Sequence, residues 1–169
     1  MPAAGQTGAV ALTGPYAPSS APWVRAEVEH IERTGGSAFG DRPVVLLTTL
    51  GARTGQLRKT PLMRVEHAGT YAIVASMAGS DRHPQWYANV LAHPAVELRD
   101  GARLLELVAR EVTGDERVRW WSRACVTFPS YAGYQRRTRR RIPVLLLEAG
   151  RDFRSAETPE HISIPNPMR

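Results

Sequence analysis

Between residues 44 and 62 the chain reads V-V-L-L-T-T-L-G-A-R-T-G-Q-L-R-K-T-P-L, and this stretch limits the fold more than any other. Val44, Val45, Leu46 and Leu47 enter it, and apolar residues resume at Leu62. Between them stand Gly51 and Gly55, the cations Arg53, Arg58 and Lys59, and the hydroxyls of Thr48, Thr49, Thr54 and Thr60. Aliphatic runs bounded by glycine read as strands, so the segment predicts a strand, a loop and a strand. Glycine tolerates positive φ and lets backbone N–H groups approach a ligand. Arginine's planar fork matches phosphate or carboxylate in paired hydrogen bonds. Two readings stay open on these residues: a loop that holds an anion, or a polar surface hairpin with solvated charges.

The flanking sequence settles what kind of sheet the hairpin joins. Residues 1–20 are rich in Ala, Gly, Pro, Ser and Thr and predict a poorly ordered arm. Pro22 opens an amphipathic helix with Val24, Val28 and Ile31 on its apolar face and Arg25, Glu29 and Glu32 outward, ended by Gly35-Gly36. Strands are predicted over 43–50, 58–66 and 71–77, the last two joined as a hairpin by Ala68-Gly69. A helix starts at Pro84 and stops at Pro94. Strands over 96–99 and 104–112 follow, joined by Asp100-Gly101, a type I′ signal. Thr113 and Glu116 have capping-box spacing at the head of a helix through Cys125. A further helical stretch from Pro129 leads into a basic run, 136–141, and an apolar strand over 143–148 that reads as central in the sheet. Residues 151–169 read as a tail. Six strands joined mostly as hairpins, without βαβ alternation, predict a mainly β fold: one antiparallel barrel with accessory helices over 21–150.

Composition bears on the partner and on the chemistry. Among 169 residues the formal net charge is +6, which favours an anionic partner without choosing among nucleic acid, anionic lipid and an anionic small molecule. A single cysteine, Cys125, forbids an internal disulfide, and with no membrane-spanning run or secretory signal a cytoplasmic location is expected, peripheral contact with the inner membrane face included. His30, His67, His83, His93 and His161 are scattered without metal-ligand spacing, so no metal site is expected. There is no G-x-S-x-G elbow, no phosphate-binding Walker loop and no paired-carboxylate motif. Any enzymology must therefore come from a bound cofactor.

Three clusters suit such a cofactor, each with a plainer alternative. Ala75, Ser76, Met77, Ala78 and Gly79 end a strand in small residues, giving a flat ligand access to the backbone, or else a simple turn. Pro84, Gln85, Trp86, Tyr87, Ala88 and Asn89 begin a helix whose free N–H groups favour anions, while Trp86 alone reads better as core. Phe128, Tyr131 and Tyr134 recur every third residue and form either core packing or a partly exposed aromatic wall.

Taken together, L-T-T-x-G-x-x-T-G-x-x-R-x-x-P-L, V-A-S-x-x-G, H-P-x-W-Y-x-N, F-P-S-Y-x-x-Y-Q and R-x-I-P-V, in this order over 43–148, resemble the actinobacterial deazaflavin (coenzyme F420)-dependent nitroreductase and quinone reductase family. The resemblance implies a split β-barrel like that of flavin mononucleotide-binding proteins. It implies an oxidoreductase that passes hydride from reduced F420 to a quinone, an activated alkene or a nitroaromatic ring. It further implies that Arg53, Thr54, Gly55, Arg58, Lys59, Thr60, Pro61, Leu62 and Met63 grip the phosphate and acidic tail of the coenzyme. Ala75, Ser76, Met77, Ala78 and Gly79 would line the deazaflavin ring. Trp86, Tyr87, Ala88, Asn89 and Val90 would close the other side of the groove. Ser76, Phe128, Tyr131 and Tyr134 would shape the substrate pocket, with Tyr131 or Ser76 bonding the oxygen on which charge develops. Met77 stands where the family often has lysine, and Phe128 where its best-known members have tyrosine. The alternatives are a flavin mononucleotide enzyme on the same barrel, a coenzyme carrier without turnover, and a nucleic-acid binder using Arg136, Arg137, Arg139, Arg140 and Arg141.

Overall fold

The computed structural model describes residues 12–150; the expected 151–169 tail and the first eleven residues of the expected arm lie outside them. After α1 (Pro22–Thr34) come β1 (Val44–Leu50), β2 (Leu57–Met63), β3 (Val65–His67) and β4 (Thr70–Val74). A short turn, Met77–Gly79, leads to α2 (Gln85–Ala92), β5 (Ala95–Asp100) and β6 (Arg103–Glu111). The chain then forms α3 (Gly114–Thr127), α4 (Ser130–Arg137) and β7 (Val144–Glu148).

The strands make one antiparallel sheet in the order β2-β1-β5-β6-β7-β4-β3. The segment expected to be one strand over 58–66 is two. Its first half pairs with β1, Val44 opposite Met63, and its second half pairs with β4, Val65 opposite Ala72. β2 and β3 stand at opposite ends of the order yet are parted only by Arg64. The sheet therefore curls until its two ends meet at that residue, which is how the split barrel arises. Asp100 fastens the seam: Arg64 Nε donates to both its carboxylate oxygens at 3.0 Å, and the Tyr71 hydroxyl donates to one of them at 2.6 Å. Pro61 sits in β2, an edge strand of this order, where a missing N–H does least harm.

Strand alternation divides the apolar residues among three clusters. Val45, Leu47, Ile73, Leu98, Leu145 and Leu147 fill the barrel. Ala72, Val74, Val144 and Leu146, on the opposite faces of β4 and β7, are covered by Trp120 and Ala124 of α3 and Tyr131 of α4. The uninterrupted hydrophobicity of β7 follows, since it lies between β6 and β4 with both faces covered. Val28 and Ile31 of α1 cover Leu46 of β1.

Two turn expectations are corrected. The register pairs Asp100 with Arg103, so Gly101 and Ala102 are the central residues, and only Gly101 has positive φ. That is the pattern of a II′ turn, whereas I′ needs positive φ at both positions, as Ala68 (φ 51) and Gly69 (φ 82) have in the β3–β4 turn. The capping box also fails to form. Thr113 caps α3 without a side-chain bond, and the Glu116 carboxylate turns to the Arg110 guanidinium at 2.8 and 3.1 Å. Of the arm, the stretch around Tyr16 lies on the outer edge of β2: Leu57 N donates to Pro15 O and Ala17 N donates to Leu57 O, both at 2.9 Å.

Candidate functional site

A cavity of about 520 Å³ opens between α1, β2, the turn after β4 and the start of α4. One wall is Thr60, Pro61, Leu62 and Met63 of β2. Facing it is the turn, with Ser76, Met77 and Ala78. Phe128, Tyr131 and Tyr134 form a third side, and Trp86 reaches in from α2. These eleven expected site residues thus converge although they come from four separate segments.

Both readings of the aromatic stripe hold at once. Tyr131 is 5% exposed and packs into the α3–α4 core, edge-on to Phe128 at 5.1 Å between ring centres and to Tyr134 at 6.3 Å. Yet it lines the cavity, and its hydroxyl has no hydrogen-bond partner among the described residues. The one fully buried side-chain polar atom without a partner there is Arg117 Nε, so the Tyr131 hydroxyl keeps access to the cavity. Burial pushes its phenol well above the ordinary tyrosine range, with smaller contributions from Tyr134 and Cys125, so it stays protonated at neutral pH. The Ser76 hydroxyl is likewise unpartnered among the described residues.

The turn that carries Ser76 is unusual in its backbone. Met77, Ala78 and Gly79 have φ of 43, 52 and 81°, three left-handed residues in succession. Met77 is exposed, Gly79 is buried beneath α4, and Ala75 before them is in the barrel core. Ala75 and Gly79 therefore support the wall without lining it.

The loop between β1 and β2 corrects part of the anion-site expectation. Gly51 N donates to Gln56 O, Gly55 N to Gly51 O, and Gln56 N to Thr54 Oγ1. Ala52 N donates to Asn89 Oδ1 at 3.0 Å. These four amides are engaged within the fold, which leaves an anion the side chains of the loop and the amides of Arg53 and Thr54. Lys59 is paired with Glu32 of α1 and lies over the Tyr16 ring, whereas Arg53 and Arg58 make no ion pair among the described residues. Arg53, Thr54, Gly55, Arg58 and Lys59 stand outside the cavity lining, in the β1–β2 loop and the first half of β2.

Of the helix expected to close the groove, only Pro84, its N-cap, and Trp86 reach the cavity. Val90 belongs to the barrel core, Ala88 faces out, and the Tyr87 hydroxyl donates to the Glu111 carboxylate on another face. Asn89 is 2% exposed and is an anchor: its Oδ1 holds the Ala52 amide and its Nδ2 donates to Thr49 Oγ1 at 3.1 Å. Asn89→Leu strands the buried Thr49 hydroxyl and the half-buried Ala52 amide, and is expected to lower stability by about 1–3 kcal/mol in a denaturant titration.

Sequence reading missed the α1 side of the cavity: Trp23, Glu27, Ser37, Phe39 and Arg42. Glu27 is buried and its carboxylate accepts from the Ser37 hydroxyl at 2.6 Å and the Ala38 amide at 2.9 Å, which pins the α1–β1 connection beside the cavity. Its signal was present, because position 27 falls in the apolar stripe of Val24, Val28 and Ile31. Trp23 and Phe39 lie more than half exposed at the mouth and had no sequence signal.

The chain has clear relatives. A family model described as F420H(2)-dependent quinone reductase matches residues 23–149. An F420H(2)-dependent quinone reductase of Mycobacterium tuberculosis is 37% identical over 118 residues, covering 68% of this chain and 79% of the relative. A solved F420-H2 dependent reductase is 51% identical with a TM-score of 0.61, over 63% of this chain and 95% of that one. A heme binding protein from Mycobacterium smegmatis, 16% identical with a TM-score of 0.50 over 63% of this chain and 46% of that one, shares the fold alone.

Proposed function

The chain belongs to the F420H(2)-dependent quinone reductase family, and on that premise we propose that its 520 Å³ cavity is where reduced coenzyme F420 meets a quinone-like acceptor. The observation that carries this reading is that the hydroxyls of Ser76 and Tyr131, in the walls of a mostly apolar cavity, have no partner among the described residues and, with those of Thr60 and Tyr134, are left for a ligand. Apolar pockets of roughly 300–1,000 Å³ with a few polar groups are the usual form of small-molecule sites.

The residues present fit the coenzyme. The wall formed by the turn offers the small side chains of Ser76 and Ala78 to a flat ring, and Met77, Trp86 and Pro61 supply apolar surface. Arg53 and Arg58, at the end of β2 where the arm also lies, offer free guanidinium forks to the phosphate and carboxylates of the coenzyme tail. When bound, the coenzyme supplies a hydride donor that works in two-electron steps. The protein's part is to hold acceptor and donor about 3–3.5 Å apart and to exclude water from between them. The Tyr131 hydroxyl, kept protonated by burial, donates to the acceptor oxygen on which charge develops. Ser76 supplies a second donor from the facing wall. Phe128 in place of a phenol leaves that corner of the pocket apolar, which favours a quinone or an activated alkene over a nitroaromatic ring.

Fluorescence titration with F420, with flavin mononucleotide in a parallel titration, and steady-state reduction of menadione test this reading. Tight binding of F420 with turnover supports it; binding of F420 without turnover makes the chain a carrier, and preference for flavin mononucleotide overturns the cofactor assignment.

The finer proposal is peripheral contact with an anionic membrane while a lipid-soluble quinone is reduced. Among the described residues no helix is long and apolar enough to cross a membrane. Trp23, Phe39 and Met77 line the cavity, each more than half exposed, and Arg136, in the last turn of α4, and Arg139, just after it, are exposed. Neutralising Arg136 and Arg139 together is expected to abolish binding to vesicles of anionic phospholipid while menadione kinetics stay unchanged. Slower coenzyme association with intact vesicle binding would assign the two charges to steering instead.

A further inference from the structure

The R-x-I-P-V motif begins at Arg140, in the basic run whose charges point to an anionic partner, but this arginine is turned inward. Its Nε donates to Ser80 O at 2.7 Å, one terminal nitrogen to Ala75 O at 3.0 Å, and the other to Ser76 O at 2.7 Å. The nitrogen that reaches Ala75 also lies 3.0 Å from His83 Nδ1. One fork therefore gathers three carbonyls from the two ends of a single turn.

Between those carbonyls run the three left-handed residues, Met77, Ala78 and Gly79. For residues with a Cβ this conformation is unfavourable and persists only where the surroundings hold it. Two further contacts brace the same turn. A Cβ on Gly79 would meet Tyr134 O at 2.8 Å and Tyr134 Cα at 3.0 Å, so α4 rests on bare glycine backbone. The Thr138 hydroxyl, nearly buried, donates to Asp81 Oδ1 at 2.7 Å.

We propose that Arg140 is the positioning residue of the cavity: a strut that holds the Ser76–Ala78 wall in its left-handed form at a set distance from Tyr131 and Tyr134, and so sets the width of the slot. It acts through backbone carbonyls and not through its charge. The activity part of this inference rests on the function proposed above for the cavity; the structural part does not. Lysine cannot replace it, since a single ammonium has no planar fork with which to reach three divergent acceptors.

The test compares Arg140→Lys, Arg140→Gln and Gly79→Ala with the unaltered protein, by hydrogen exchange without ligand and by menadione reduction with reduced F420. Arg140→Lys keeps the net charge, yet the Gly79 and Ser80 amides, bonded to Ser76 O and Met77 O, are expected to exchange about tenfold or more faster while β4 and β7 amides keep their protection. Its kcat/KM is expected to fall about tenfold or more, since small misplacements of a site wall cost that much. Gly79→Ala should act in the same way, with the double variant no worse than the poorer single one, because both work through one turn.

Normal exchange and normal kcat/KM in Arg140→Lys overturn the strut, whatever the Tm. So does harm confined to Arg140→Gln, which would assign the effect to charge. Should Arg140→Gln or Gly79→Ala fail to fold, Arg140→Lys decides. If the unaltered protein itself does not reduce menadione, the function proposed for the cavity fails, and exchange at Gly79 and Ser80 still decides the strut.

Discussion

Tyr131→Phe is expected to lower menadione turnover by about tenfold or more while the Tm barely moves, because it deletes one unpartnered hydroxyl and no packing. The two properties separate cleanly here. The ring is 5% exposed among Trp121, Phe128 and Tyr134, whereas the hydroxyl makes no bond among the described residues. Tyr131→Ala removes the ring as well and is expected to cost about 3–5 kcal/mol of stability through the cavity it leaves. The sign of the pH dependence follows from the raised phenol. A folded-state pKa above the unfolded value of about 10 means that its contribution to stability is whole below pH 10 and is lost as pH rises further. Turnover should accordingly show no Tyr131 titration near neutrality. Full activity in Tyr131→Phe would reduce this residue to packing and leave Ser76 as the donor.

Arg58→Ala combined with Arg53→Ala is expected to weaken coenzyme binding by about a hundredfold, each lost charge-assisted contact being worth roughly 1.5–3 kcal/mol and about tenfold or more. Neither guanidinium has an ion-pair partner among the described residues, so both are free to meet the coenzyme tail. Lys59→Ala should do less, since Lys59 already pairs with Glu32 and lies over Tyr16. Binding should also weaken as salt is added, and less so in the double variant, because the lost contacts are the screened ones. A double variant whose fluorescence titration matches the unaltered protein would remove both arginines from the site.

Much of this architecture was legible along the chain because its signals are local. The apolar run at Val44–Leu47, the Ala68-Gly69 turn and the uniformly apolar β7 each depend on residues within a few positions, where alternation and turn chemistry act. The converging motifs also located the cavity: Thr60–Met63, Ser76–Ala78, Trp86 and the Phe128–Tyr134 stripe all reach it. The local signals misled where a distant partner competed. Thr113 and Glu116 have the spacing of a capping box, but Arg110 on β6 takes the carboxylate that would have accepted from the Thr113 amide. The glycines of the β1–β2 loop suggest free amides, but Asn89 of α2 takes one, and the loop's own acceptors take three more.

Nothing within a short window says that the strand through Arg64 breaks and serves both ends of the sheet, since closure depends on which strands lie beside β1 and β4. Nor does a run of arginines say which of them turns inward. Arg136, Arg137 and Arg139 remain exposed, while Arg140, in the same charge pattern, meets the carbonyls of a turn some sixty residues earlier. Charge and hydrophobicity are properties of a residue and its neighbours in sequence. The partner that satisfies a donor is a property of packing, and that is why the two walls of the cavity could be named from the chain but the strut between them could not.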